Sequence, residues 1–60
     1  MFIKIGDTIY NTNAIKKIVR HNDHITIQIG KGDSPNDYDH HSMSAKEIEV
    51  VWPIIVTKLS

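Results

Sequence analysis

Alternating apolar and polar positions along the first half of the chain predict short β-strands. One run covers Phe2 to Ile5 and ends at a Gly-Asp turn pair, and a second run covers Thr8 to Asn11. From His24 to Gly30, isoleucine at every second position alternates with Thr26 and Gln28. This period of two is typical of a strand that buries one face.

The segment 14–20 is compatible with two structures, because its apolar residues fit one face of a helix and also fit a strand. We favour the strand, because the clearly alternating run follows it after two turn-prone residues. In the resulting hairpin, Ile18 pairs with Ile27 and His21 pairs with His24.

The clearest predicted element is a helix over residues 44–59. Ser44 and Glu47 have the spacing of a capping box, in which the two side chains bond free backbone N–H groups of the first turn. Pro53 removes one helical hydrogen bond, so the helix either kinks there or ends at Trp52. Apolar residues recur every three or four positions and form one stripe: Ile48, Val51, Trp52, Ile55 and Leu59.

Together these elements predict an α+β fold in a single domain that spans residues 1–60. Residues 1–30 supply strands, residues 31–43 supply a polar loop or a short strand, and residues 44–59 supply the helix. We expect a small antiparallel β-meander of three to five short strands, covered on one face by the C-terminal helix. The predicted core consists of Ile3 or Phe2, Ile9, Ile18, Ile25, Ile27, Ile29, Ile48, Val51, Trp52 and Ile55.

Composition and charge exclude several classes of protein. Seven basic residues balance seven acidic ones, 40% of the residues are hydrophobic, and there is no cysteine. The chain is therefore neither intrinsically disordered nor held together by disulfides or a cysteine-ligated zinc. The N-terminus lacks the features of a signal peptide, and the longest apolar run, Val50 to Val56, is too short to span a bilayer. We expect a cytoplasmic protein with no membrane partner.

Catalysis has little support in the sequence. There is no G-x-S-x-G motif and no phosphate-binding glycine loop, and Ser44 is expected to cap the helix. One small core also leaves little room for the concave pocket that most active sites use. We therefore predict that the protein is not an enzyme and uses no cofactor.

The segment from Asp37 to His41 is the main candidate for a metal site. On an extended chain, Asp37, Asp39 and His41 share one face, and His40 lies next to them in sequence. Two carboxylates and an imidazole can bind a divalent ion. We favour a polar loop with solvated charges, and keep a metal-binding or metal-stabilised domain as the alternative function.

Two smaller clusters have weaker functional interpretations. His21 and His24 could share a surface metal as a cross-strand pair, although no third ligand is adjacent in sequence. Lys16, Lys17 and Arg20 form the only basic cluster. This cluster is smaller than typical nucleic-acid sites and contains no aromatic residue for stacking. A solvated surface is favoured, and nucleic acid is not an expected partner.

The back of the predicted helix indicates an interaction surface. Val50 and Ile54 fall outside the core stripe, with Thr57 between them in angle. A kink at Pro53 could instead return Ile54 to the core. Because small domains often gain stability from a partner subunit, the leading hypothesis is a protein-interaction or accessory module. We expect it to form a two-fold homodimer, or to bind another protein, through Val50, Ile54 and Thr57.

The first half of the chain also resembles the small FlbD-type flagellar protein family. The likeness covers about half of the chain and consists of hydrophobic spacing and turn residues: Gly6, Asn11, Ile15, Ile18, Asp23, Ile25, Thr26 and Ile27, with the helix start at Ser44 and Glu47. The loop 31–43 is longer and more acidic than in that family. The resemblance implies a small cytoplasmic accessory protein without enzymatic activity, and it carries no functional residue over to this chain.

Overall fold

The computed structural model describes residues 1–60 and contains five strands and one α-helix. In chain order the elements are β1 (Phe2–Ile5), β2 (Thr8–Asn11), β3 (Lys17–Arg20), β4 (His24–Gln28), β5 (Tyr38–Ser42) and α1 (Ala45–Leu59). All strand pairs are antiparallel; β1 and β2 form one sheet, and β3, β4 and β5 form another in that order. The predicted α+β class is confirmed, with the strands in two sheets rather than in one continuous meander.

A two-residue turn determines which residues of β1 and β2 share a face of the hairpin. Gly6 has a φ of 60°, which residues with a side chain rarely adopt, so glycine suits this first turn position. The turn pairs Ile3 with Tyr10 and Lys4 with Ile9. Directly paired residues share a face of the sheet, and the face with Ile3 and Tyr10 is the buried one.

Two apolar residues of this hairpin therefore lie on its outer face. Ile9 is 68% exposed, so the prediction that it belongs to the core is wrong. Of the alternatives Ile3 and Phe2, Ile3 is the core residue, and Phe2 is exposed. Tyr10 is buried in place of Ile9, because the register turns every second side chain of β2 inward.

The segment 14–20 forms a strand, β3, in its second half, as favoured from the sequence. Ile18 lies opposite Ile27 in the pairing with β4. Beyond the strand ends, the backbone N–H of His21 donates to the carbonyl of His24 over 3.0 Å. The predicted register of this hairpin is confirmed.

A well-organised loop connects β4 to β5. The Asp37 carboxylate accepts hydrogen bonds from the backbone N–H groups of Gly32, Asp33 and Ser34 at 3.0, 3.1 and 3.2 Å. Ser34 in turn caps a short 3₁₀ turn that ends at Asp37. The chain leaves this turn directly into β5, which pairs with β4. The short strand, one of the two alternatives for this segment, is therefore present.

The helix α1 begins at the predicted capping box and continues through the proline. The Ser44 hydroxyl accepts from the Glu47 backbone N–H at 3.2 Å, and the Glu47 carboxylate accepts from the Ser44 backbone N–H at 3.5 Å. Pro53 lies inside the helix, which runs to Leu59, so it does not end at Trp52. This single helix is too short and too polar to cross a membrane.

The core lies between α1 and the inner faces of both sheets. Ile48 and Ile55 of the helix belong to the same buried cluster as Ile25 and Ile27 of β4. Ile29 follows the end of β4 and is 37% exposed, so its predicted core position is wrong. Partly buried residues extend the cluster: Ile15, Ile18, Met43, Val51 and Trp52.

Candidate functional site

The side of α1 opposite the core presents an apolar surface. Val50 is 64% exposed, Ile54 is 52% exposed, and Thr57 and Pro53 are also exposed. The Thr57 hydroxyl donates to the Pro53 carbonyl at 2.8 Å, so this polar group is already bonded within the helix. We call Val50, Pro53, Ile54 and Thr57 the outer helix face. Ile54 does not return to the core at the proline.

Charged residues border the outer helix face. At 100° per residue, Glu47 and Lys58 lie about 20° apart on one border. They are at opposite ends of the helix. Glu49 lies on the other border, and Lys46 lies at the N-terminal end of the face. All four side chains are exposed. The border that carries Glu47 and Lys58 is therefore acidic at one end of the helix and basic at the other.

A second apolar patch lies on the outer face of the β1–β2 hairpin. It contains Phe2 and Ile9, with the exposed Met1 at the start of the chain. Lys4 pairs with Ile9 on this face and adds a positive charge. The sequence pattern did not indicate this patch, because both strands of the hairpin carry apolar residues on both faces.

The structure separates the four residues of the predicted metal segment. The Asp37 carboxylate is bonded to the loop N–H groups described above. Asp39 and His41 face the core side of β5, where both meet the Tyr10 hydroxyl. His40 lies on the opposite face and contacts Thr26. No group of three or more His, Cys, Asp or Glu residues is positioned to hold a metal ion, so the arrangement does not favour this segment as a metal site.

Tyr10 joins the two sheets through a polar contact. Its hydroxyl donates to Asp39 Oδ2 at 2.8 Å and lies 2.6 Å from His41 Nε2. A phenol has only one proton, so while it donates to Asp39 it accepts from the His41 ring N–H. Burial, together with the hydrogen bond and charge of Asp39, raises the pKa of Tyr10 to about 12. The phenol is therefore held in its un-ionised form.

Three histidines gather on the sheet face that is turned away from the helix. The rings of His21 and His24 are stacked with their centroids 4.1 Å apart, and the centroids of His24 and His40 are 5.9 Å apart. The Asp23 carboxylate lies 2.6 Å from His24 Nδ1, and this hydrogen bond lowers the pKa of Asp23. The sequence indicated the pair of His21 and His24, whereas His40 joins them only through the pairing of β5 with β4.

The basic residues of the sequence cluster are spread over both faces of β3. Lys16 precedes the strand, and Lys17 and Arg20 lie on opposite faces because they are three positions apart. The Arg20 guanidinium carbon lies 5.9 Å from the centroid of the Trp52 ring, against the helix. These residues do not form the continuous basic surface that is typical of nucleic-acid sites.

Comparison with known proteins gives no independent indication of function. No protein-family model, no curated protein and no solved structure matches the chain. The resemblance to the FlbD-type family stays a prediction, and a functional proposal has to come from the surfaces described above.

Proposed function

We propose that this chain is a non-enzymatic protein-interaction module that self-associates through the outer helix face as a two-fold dimer. The observation that carries the proposal is the exposure of Val50 and Ile54 on a helix whose other side is already packed. A helix that is apolar on both sides normally buries both. Val50 and Ile54 lie one helical turn apart, so a second helix along this face would cover them together.

The extent of the molecular surface supports a partner subunit. A monomer of this mass typically exposes about 3,950 Å², whereas this chain exposes 4327 Å², with only seven of its 60 residues buried. Stable interfaces cover about 800 Å² on each partner. Contact along the whole of α1, including its charged borders, is needed to approach that area.

The charges on the helix border favour a second copy of this chain as the partner. In an antiparallel pair of helices, residues on the same border meet, with the start of one helix near the end of the other. Glu47 then approaches Lys58 of the second copy, and the two-fold axis repeats the contact. In a parallel pair the two-fold axis runs along the helices and opposite borders meet, which would place Glu47 near Glu49 of the second copy. The pattern therefore favours the antiparallel arrangement.

Size-exclusion chromatography with light scattering, over a range of concentrations, tests the proposal. We expect the parent protein to have the mass of a dimer that dissociates on dilution. The double variant Val50→Asp/Ile54→Asp should be a folded monomer, because the dimer would bury four carboxylates without partners. The matched control is Phe2→Asp/Ile9→Asp, which makes the same chemical change on the hairpin and should leave the dimer intact.

A charge exchange tests the antiparallel orientation. An exposed ion pair contributes about 0.2–1 kcal/mol, so loss of the two symmetric pairs in Lys58→Glu should weaken the dimer about 2- to 30-fold. Adding Glu47→Lys to this variant restores opposite charges at both contacts and should recover the parent affinity. Because Glu47 also caps α1, circular dichroism of each variant checks that the helix is retained.

Three results would contradict the proposal. A parent chain that is monomeric at all concentrations would remove self-association altogether. A Val50→Asp/Ile54→Asp variant that keeps the mass of the parent dimer would show that the outer helix face is not the interface. If the hairpin control alone becomes monomeric, the interface lies on the β1–β2 hairpin instead.

A further inference from the structure

We infer that His24 and His40 form a binding site for a transition-metal ion such as Zn²⁺ or Ni²⁺, with His21 as a further ligand. Three of the four histidines in the chain thus share one surface. This surface is the side of the three-stranded sheet turned away from α1, so the site is separate from the outer helix face. Imidazole nitrogen is a preferred ligand of both metals.

Hydrogen bonds hold the same nitrogen in two of the rings. His24 Nδ1 lies 2.6 Å from the Asp23 carboxylate, and His40 Nδ1 lies 3.1 Å from the Thr26 hydroxyl. A partner at Nδ1 leaves Nε2 of each ring as the nitrogen available to a metal. Metal-binding histidines commonly have this arrangement, because a carboxylate or another polar group at the second nitrogen fixes the tautomer and orients the ring.

The spacing of His24 and His40 suits one shared ion. With metal–nitrogen distances near 2.0–2.1 Å, two imidazoles on a tetrahedral ion have ring centroids about 5 Å apart. The centroids in the structure are 5.9 Å apart and the rings are tilted by 58°. The rings are thus somewhat further apart than on a shared ion, and the exposed His40 side chain has to turn toward His24 when the metal binds.

His21 completes the site by a change of side-chain rotamer. Its ring is stacked on that of His24, with an angle of 13° between the planes, so both rings do not point to one ion in this conformation. The His21 side chain is exposed, and exposed side chains exchange rotamers readily. The site therefore begins as a pair of imidazoles, and the third ligand joins when the metal binds.

Calorimetric titration of the protein, without a histidine tag, with ZnCl₂ tests this site. We expect one ion per chain, and His24→Gln or His40→Gln should lower the association constant about tenfold or more. His21→Gln should lower it by a smaller factor. NiCl₂ added below stoichiometry should broaden the NMR signals of the His24 and His40 rings before those of His41, because the paramagnetic ion acts on the nearest nuclei.

The matched control is His41→Gln, since His41 is on the opposite face of β5 and should not be needed for binding. Equal zinc affinity in the parent, His24→Gln and His40→Gln would overturn the inference, and so would the absence of saturable binding. Loss of zinc binding in His41→Gln alone would also overturn the inference, because it would place the ion near Asp39. The monomeric Val50→Asp/Ile54→Asp variant should bind Zn²⁺ like the parent, which separates failure of this site from failure of the dimer.

Discussion

Tyr10 shows how a small core accommodates a polar group. Its ring belongs to the buried isoleucine cluster, while its hydroxyl reaches Asp39 and His41 on the other sheet. A buried hydroxyl requires such partners, and no buried side-chain nitrogen or oxygen in the structure lacks one. One residue therefore adds to the apolar core and also fixes the position of the hairpin against β5.

We expect ionisation of the Tyr10 phenol to lower the free energy of unfolding at high pH. The pKa of Tyr10 is about 12 in the folded state against 10.0 for an ordinary tyrosine, so folding favours the un-ionised phenol. Its contribution is complete below pH 10 and is lost as the pH rises through about 12. Urea unfolding of the parent and of Tyr10→Phe, each measured from pH 8 to about 12, should give free energies that converge at high pH.

Effects of high pH elsewhere in the chain are common to both proteins and cancel in the difference between their free energies of unfolding. At neutral pH, Tyr10→Phe should be less stable by about 1–3 kcal/mol, because Asp39 and His41 lose a hydrogen-bond partner. Tyr38→Phe is the control, since the Tyr38 hydroxyl makes only one 3.4 Å contact, with the Gly32 carbonyl. If the free energies of unfolding of the parent and Tyr10→Phe differ by a constant amount over the whole pH range, the raised pKa of Tyr10 is contradicted.

At the scale of the element, α1 contains a residue that helix interiors disfavour. Pro53 has no N–H to donate to the carbonyl of Glu49, yet the helix is continuous from Ala45 to Leu59. The burial of Ile48 before the proline and of Ile55 after it holds both halves against the same core. Tertiary packing, rather than intrinsic propensity, therefore maintains the second half of the helix.

We expect Pro53→Ala to stabilise the protein by about 2 kcal/mol. Alanine is preferred over proline by about 3 kcal/mol inside a helix, and the greater freedom of the unfolded chain offsets about 0.4–1 kcal/mol of this gain. Chemical denaturation of the Val50→Asp/Ile54→Asp background measures the effect without self-association. Glu49→Ala, another exposed helix position, should change stability by less than about 0.5 kcal/mol. A neutral or destabilised Pro53→Ala would indicate that the proline is required by the packing.

The elements that could be predicted from the sequence are those whose signals are local. The capping box at Ser44 locates the start of α1, and the period of two in β4 predicts its buried face. The buried face of the β1–β2 hairpin is harder to predict, because the neighbouring residues Ile9 and Tyr10 of β2 can each face the core. The register set by the turn selects Tyr10, which also requires polar partners that the hairpin itself does not contain.

The candidate sites differ in the same way, because some depend on local geometry and others on contacts between distant segments. Val50 and Ile54 could be placed on an exposed face from helix geometry alone, since one turn of α1 determines their angle to Ile48. The contact of Tyr10 with His41 and the approach of His40 to His24 join residues that are distant in sequence. Such contacts depend on the order of strands in the sheets, which the local pattern does not determine.

At the scale of the whole molecule, a small core and a large exposed surface leave a narrow margin of stability, and the proposed dimer should add to it. If the native state is a dimer, unfolding also separates the chains, so a tenfold rise in concentration should raise the melting temperature by roughly 5–6 °C. Thermal denaturation at several protein concentrations measures this dependence. The Val50→Asp/Ile54→Asp variant should melt at one temperature whatever its concentration. A parent melting temperature that does not depend on concentration would contradict a dimeric native state.

Trp52 provides a spectroscopic probe for the measurements of stability and association. It is the only tryptophan in the chain and is partly buried on the core side of α1, beside Arg20. Its fluorescence should therefore report whether the helix is docked on the sheets and should respond little to changes on the outer helix face. Emission that stays constant while light scattering shows the dimer dissociating would identify a folded monomer without any added label.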